Sequence, residues 1–275
     1  VVCLIWCYFS YNMIDDFSTI EQHFRPEEVA FIQQASDWIR QSEDEYRGIL
    51  TRFLNPREQY ILQTLVNRSD NLQVHYNGAT SNTENQRAVI APDFYTVALS
   101  DFELSVLEIK YPVKFAELHH SMILGAFMSA GIKREVIGDI LSNDKKWQVI
   151  VDAKMITYIQ QTVQKIGRIK IELIARDLKD VIAVHDDWNE IFLLLSSLRI
   201  DTTISMAFNI SRSVAKSLIE QQQVRVNWTT IVKPDHVVAM GDIVSVRKYG
   251  RLQLKMCDGF SKKDKIKAIV NIIRR

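Results

Sequence analysis

Apolar positions recur with a helical period through the first quarter of the chain. EEVAFIQQASDWIRQ, which follows Pro26, places Val29, Ile32, Ala35, Trp38 and Ile39 on one helix face. NPREQYILQTLVNR opens with Asn55 as a cap, Pro56 in the first turn and Glu58 three positions on. Ile61, Leu62, Leu65 and Val66 then form one buried stripe. The intervening EYRGILTRFL reads as a short helix, so the chain is expected to be helical to about residue 68. The period changes in LQVHYNGATSNTENQRAVIAP, where two extended segments flank a polar, glycine-containing connection. That pattern predicts a hairpin, and PDFY a turn after it.

Residues 103–175 have the most regular layout. ELSVLEIKY is a strand, and KFAELHHSMILGAFMSAG a helix ending at Gly131. EVIGDILS and WQVIVDA are strands around an Asn-Asp-Lys turn, AKMITYIQQTVQKIG is a second helix ending at Gly167, and RIKIELIAR is a closing strand. The order β-α-β-β-α-β predicts a ferredoxin-like domain, a pattern shared by many RNA-binding modules and many others. HDDWNE, residues 185–190, reads as a linker edge. RIDTTISMAFN and SRSVAKSLIEQQ then read as two short helices. VRVN, a Lys233-Pro234-Asp235 turn, VV, a Gly241-Asp242 turn and IVSVRKYG read as a small twisted sheet. SKKDKIKAIVNIIRR suits a final strand or a basic helix.

Charge changes this picture more than composition does. The 275 residues carry a net +1, with 47% hydrophobic and 24% charged positions, which is globular composition. Residues 199–275, however, hold 15 Lys and Arg against 6 Asp and Glu, while the first 198 hold 19 against 27. An acidic body therefore precedes a basic C-terminal third. Cys3, Cys7 and Cys257 form a sparse, odd set without a CxxC pair, which favours a reducing, cytoplasmic setting and supplies no zinc framework. The opening VVCLIWCYFS is apolar but far short of the roughly 20 residues of a spanning helix, and it lacks signal-peptide flanks. It reads as a leader ahead of Met13, a candidate start, or as a segment packed on the body. No later window has membrane character.

Within the basic third, Ser211 is placed as a helix N-cap, with Arg212 and Lys216 one turn apart on the same face. Val214, Ala215, Leu218 and Ile219 fill the adjoining arc. In VRVN, Val224 and Val226 alternate with Arg225 and Asn227, separating core from surface. Arg199, Arg247, Lys248 and Arg251 extend the expected patch. Positive charge on elements held by one small core has affinity for phosphate without base contacts, which suits double-stranded or folded RNA. By charge alone, an acidic protein surface and a merely solvated basic face remain open.

LRIDTTISMAFNISRSVAKSLIEQQQVRVNWTTIVKPDHVVAMGDIVSVRKYGR resembles the S4 RNA-binding domain. The matching pieces are Arg199-Ile200-Asp201, Ser211-Arg212-Ser213, Val224, Val226-Asn227, Lys233-Pro234, Gly241-Asp242 and Val246-Arg247. Gln222 departs from it, standing where the family often has Gly, so it is expected to adopt a left-handed turn at a cost or to reshape it. From about Met13 onward the chain also resembles the YlmH family of bacterial S4-domain proteins, encoded near cell-division genes. FLNPREQYIL, Ala91-Pro92-Asp93-Phe94-Tyr95 and LGAFMSAGIKREVIGDI carry that resemblance. It implies a ribosome-associated quality-control factor that binds the large (50S) ribosomal subunit carrying obstructed peptidyl-tRNA, contacting rRNA and tRNA. His120, Ser121 and Met122 stand where the family commonly reads His-Arg-Asp, so the middle domain is expected to bind RNA more weakly or to rely on Lys133 and Arg134.

Chemistry of other kinds finds little support. Adjacent His119 and His120 point in different directions on a helix, and no HExxH spacing occurs. Asp139 and Asp186-Asp187 form no convergent carboxylate pair, and no GxSxG, P-loop or dinucleotide fingerprint is present. The expectation is a non-enzymatic α+β protein without cofactor or metal. It comprises an apolar leader (1–13), an N-terminal α/β region (14–100), a ferredoxin-like RNA-binding domain (101–184), an S4 domain (185–257) and a basic tail (258–275). Two alternatives stand beside it: a protein-interaction adaptor in cell division, and an RNA-modifying enzyme using an S4 module.

Overall fold

The computed structural model describes residues 24–80, 83–143, 146–183 and 188–274. The apolar leader, Cys3, Cys7, most of the Asn-Asp-Lys turn and Asp186-Asp187 lie outside the described residues. The chain forms two compact units. One takes the sequence up to Ile49 with Ile61–Val74 and Ile90–Val97; the other takes Leu50–Tyr60, His75–Val89 and Ala98–Arg275.

In the first unit, α1 (Val29–Glu45) buries Phe31, Ile32, Ala35 and Ser42 and ends at Tyr46 in a left-handed conformation. Trp38 packs edge-on against Phe31 with ring centroids 6.2 Å apart, which adds directed aromatic contact to the expected stripe. The Ser42 hydroxyl donates to the Ile90 carbonyl at 3.2 Å, giving a buried polar group a partner.

EYRGILTRFL does not form the expected helix. Ile49–Leu54 is strand β1, in a three-stranded sheet of order β1-β3-β2 with β2 (Leu72–Asn77) and β3 (Gln86–Pro92). Ile49, Leu50, Phe53 and Leu54 have a spacing that suits a helix turn, but Ile49, Thr51 and Phe53 are buried alternately, and pairing in the sheet decides between the periods. Helix α2 (Pro56–Val66) starts as its cap predicts. Asn55 Oδ1 accepts from the backbone of Arg57 at 2.9 Å and Glu58 at 3.0 Å, and Glu58 accepts the Asn55 N–H at 2.9 Å.

The middle of the second unit runs β4 (Leu104–Lys110), α3 (His120–Ser129), β5 (Ile137–Asn143), β6 (Lys146–Asp152), α4 (Ile156–Thr162), β7 (Lys165–Ile166), β8 (Ile169–Lys170) and β9 (Glu172–Arg176). Four of these strands make an antiparallel sheet of order β5-β6-β4-β9. Ile123, Phe127, Ile159 and Ile166 from the flanking segments are fully buried with Leu107, Val149 and Val151 of the sheet. Both expected helices are shorter than the pattern suggests. Lys114–His119 stays outside α3, because Pro112 makes a turn closed by the Phe115 N–H and Leu118 is drawn into the core. α4 stops at Thr162, and Val163 and Ile166 are buried as the chain reverses through Gly167, whose φ of +58° suits the β7–β8 turn.

The C-terminal part forms a six-stranded antiparallel sheet of order β10-β15-β14-β13-β11-β12. Its strands are β10 (Asn189–Leu195), β11 (Val224–Val226), β12 (Thr229–Thr230), β13 (Ile243–Val246), β14 (Gly250–Phe260) and β15 (Ile266–Arg274). Helices α5 (Ile200–Phe208) and α6 (Arg212–Glu220) cover one face. Ile200, Ile204, Ala215 and Ile219 share a core there with Val224, Val244, Leu252, Val270 and Ile272. Of the two forms that suit the basic C-terminal stretch, the strand is the one found: β15 pairs with both β10 and β14, so Ala268, Val270 and Ile272 are core positions between two neighbours. Alternation of apolar residues outweighs the flanking lysines here.

Candidate nucleic-acid interface

α6 begins as its sequence predicts: Ser211 Oγ accepts the Val214 N–H at 3.2 Å, and Ala215 and Ile219 turn inward while Arg212 and Lys216 stay exposed. Gln222 ends the helix at φ +59°, the left-handed conformation expected at this departure from the family pattern. The following turn at Gly241 does require glycine. Its φ is +84°, and a Cβ there would stand 3.0 Å from the Pro56 carbonyl. Asp242 beside it is fully buried and accepts the Ala239 N–H at 2.8 Å, as the turn reading anticipates.

The centre of the basic surface is an acidic residue. Asp201 is 3% exposed in the first turn of α5. Its Oδ1 accepts from Arg199 Nε at 3.2 Å and Thr202 Oγ1 at 3.2 Å; its Oδ2 accepts from Arg199 Nη2 at 3.1 Å and Arg212 Nε at 3.0 Å. Burial acts to raise the carboxyl, but the hydrogen bonds and charges of Arg199 and Arg212 outweigh it and hold Asp201 below the ordinary aspartate value. Two arginines sharing one carboxylate leave a net positive charge. The Arg212 side chain, 57% exposed, engages Asp201 through Nε and leaves its terminal nitrogens to solvent. Lys216 continues the face; its 3.7 Å approach to exposed Glu220 is a weak restraint. In the sequence Asp201 stands out only as part of the Arg199-Ile200-Asp201 piece that matches the S4 pattern; pairing with Arg212 across eleven positions carries no local signal.

Arg225, Arg251 and Asn227 do not join this patch. Arg225 alternates with Val224 and Val226, which face α5 and α6, so it lies on the opposite sheet face, in register with Ser245 and then Arg251. Arg251 is engaged internally: its two terminal nitrogens donate to the Glu84 carboxylate at 2.8 Å each, and its guanidinium lies 5.6 Å over the Trp188 ring. Neither Glu84 nor Trp188 was legible as its partner. Asn227 is also structural, donating to Asp242 at 2.8 Å and accepting the Ile243 N–H at 3.0 Å. Arg247 and Lys248 are exposed at the β13–β14 turn.

In the middle domain, Lys133 is exposed, while Arg134 turns inward to the carbonyls of Ile137 and Gly138. Burial lowers the Arg134 guanidinium, and Asp139, Glu84 and Glu58 oppose that effect. Asp139 holds the neighbouring loop by accepting from the backbone of Glu84 and from Asn85.

Among the described residues there is no cluster of three or more His, Cys, Asp or Glu placed to hold a metal. Burial pushes the Cys257 thiol up, which disfavours the thiolate a nucleophile needs. No helix among the described residues is long and apolar enough to cross a membrane.

Residues 98–180 match the family model described as the putative RNA-binding domain in YlmH, and residues 198–244 match the S4 domain model. The chain is 35% identical over 254 residues to ribosome-associated protein quality control protein P2 of Bacillus subtilis strain 168, spanning 90% of this chain and 96% of that protein. It is 33% identical over 75 residues to small ribosomal subunit protein uS4 of Leptothrix cholodnii, 27% of this chain and 36% of that one. The solved structure of cell division protein ylmH from Streptococcus pneumoniae superimposes with a TM-score of 0.52 at 33% identity, covering 58% of this chain and 98% of that one. The near-complete match to the Bacillus protein, with both domain models in order along the chain, establishes that this chain belongs to the YlmH family of S4-domain proteins.

Proposed function

We propose that this chain is a non-enzymatic RNA-binding factor of ribosome-associated quality control. It holds ribosomal RNA through the exposed helix side of its S4 domain. The observation that carries the reading is the Arg199–Asp201–Arg212 cluster, two guanidiniums set by one buried carboxylate inside the segment matching the S4 model. Such a cluster suits phosphate, whose tetrahedral oxygens accept several N–H groups at once. The family relative's name supplies the ribosomal setting.

The strand order β5-β6-β4-β9, with one helix in each crossover, supports a ferredoxin-like middle domain over 101–184 as the second RNA contact, with Lys133 among its exposed cations. An N-terminal α/β region over 14–100 and an S4 domain from residue 185 complete the organisation. Two weak contacts on one chain combine when both targets lie on one particle, which favours a large subunit carrying peptidyl-tRNA, with rRNA and tRNA both in reach. A cytoplasmic location follows from that target.

Gradient co-sedimentation with large subunits carrying obstructed peptidyl-tRNA tests this reading. The unaltered chain is expected to travel with the particle, and an Arg212→Glu, Lys216→Glu double variant to remain at the top. Equal sedimentation of both at physiological salt refutes the S4 contribution. The second reading, an adaptor in cell division, is favoured only by the name of the pneumococcal relative, a cell division protein. It predicts recovery of a division protein without crosslinked rRNA or tRNA.

A further inference from the structure

The turn joining β11 to β12 contains two residues, Asn227 and Trp228, because Val226 pairs directly with Thr229 across it. Both are left-handed, at φ +46° and +67°. This is the geometry of a type I′ turn, in which Asn-Gly is the favoured pair. Asn227 suits its position and locks the turn through its bonds to Asp242 and Ile243. Trp228 stands where glycine would be least strained.

The indole returns little to the fold for that strain. Trp228 is 46% exposed and makes no hydrogen bond or aromatic contact among the described residues. β12 is the last strand of the sheet, so the turn belongs to a free edge. The segment from Val224 to Lys233 contains two cations, Arg225 and Lys233, and no carboxylate. Both cations are exposed, and their side chains have no partner among the described residues.

We propose that Trp228 is a stacking platform for an unpaired RNA base, with Arg225 and Lys233 reaching the adjoining phosphates. A flat aromatic ring flanked along the chain by cations matches the two surfaces of a single-stranded nucleotide, the face of its base and its charged backbone. Phosphate contacts on the helix side do not distinguish a continuous duplex from an interrupted one. A ring that accepts a base does, because the base must first have left its stack. Trp228 thereby selects RNA with a bulge or an open loop. This inference rests on the RNA-binding reading and deepens it.

The test uses the full chain and two RNA duplexes of equal length, one uninterrupted and one with bulged adenosines, with binding followed by fluorescence anisotropy. The unaltered chain is expected to prefer the bulged duplex. Trp228→Gly should weaken that binding by about tenfold, leave the uninterrupted duplex unchanged, and melt no lower because glycine suits the turn. Trp228→Phe should restore most of the preference, and the tryptophan quenching seen on adding bulged RNA should be absent from it. If the unaltered chain binds neither duplex, the RNA-binding reading falls and takes this inference with it. If the chain binds but Trp228→Gly treats both duplexes as the unaltered chain does, or weakens both equally, the stacking role alone is refuted. Loss of large-subunit binding with both duplex affinities unchanged would assign Trp228 to a protein surface and also refute it.

Discussion

Asp201 Oδ2 lies 3.0 Å from Arg212 Nε, joining the first turn of one helix to the first turn of the next. Removing this negative charge has opposite consequences under two accounts. If net charge governs RNA affinity, Asp201→Asn should tighten binding to a polyanion. If arginine geometry governs it, the same substitution should weaken binding to large subunits by roughly tenfold, the scale of a lost charge-assisted hydrogen bond. We expect weakening, measured by sedimentation beside a thermal melt that confirms folding.

The same carboxylate has a pH signature. Its folded value lies below the ordinary 3.8, so Asp201 contributes stability that is fully present above that value and is lost as pH falls through the depressed one. Denaturant titrations of the unaltered chain and Asp201→Asn should differ by a constant amount near neutrality. The difference should shrink only below pH 3.8.

Salt dependence separates Arg212 from a general basic background. Each phosphate contact contributes about 0.7–0.9 to the slope of log affinity against log salt. Arg212→Ala should lower that slope by about one such contact. Arg251→Ala should leave it unchanged, because the Arg251 guanidinium is already held by Glu84.

Arg251 should register in stability instead. Arg251→Ala and Glu84→Gln are each expected to cost about 1–2 kcal/mol in chemical denaturation. The double variant should cost less than their sum, since both remove one interaction.

Gln222→Gly should stabilise the chain by about 0.5–1 kcal/mol, because glycine takes a φ of +59° without the side-chain clash. A raised denaturation midpoint with an unchanged slope checks this.

Local signals were legible where one short segment carries the whole interaction. The Asn55–Glu58 capping box, the Ser211 cap and the Gly241-Asp242 turn lie within a few positions of their partners, whereas the left-handed Gln222 was expected from the family resemblance. The strand at Ile49–Leu54 was not legible, because its apolar spacing serves a helix as well and only pairing with β3 chooses. SKKDKIKAIVNIIRR suits a strand or a basic helix equally until β10 and β14 are seen on either side of β15.

By itself the sequence determined the α+β character and most of the helices and strands of the middle domain, though not its β7–β8 hairpin, since caps, turns and apolar periods act over short stretches of chain; the S4 pattern was legible as a resemblance. Only the tertiary structure decided which cations remain available. Asp201 gathers Arg199 and Arg212, Glu84 takes Arg251, and strand alternation sends Arg225 to the far face. The reason is physical: a charge is free or spent according to the carboxylate beside it in space, and Glu84 and Arg251 are 167 positions apart along the chain.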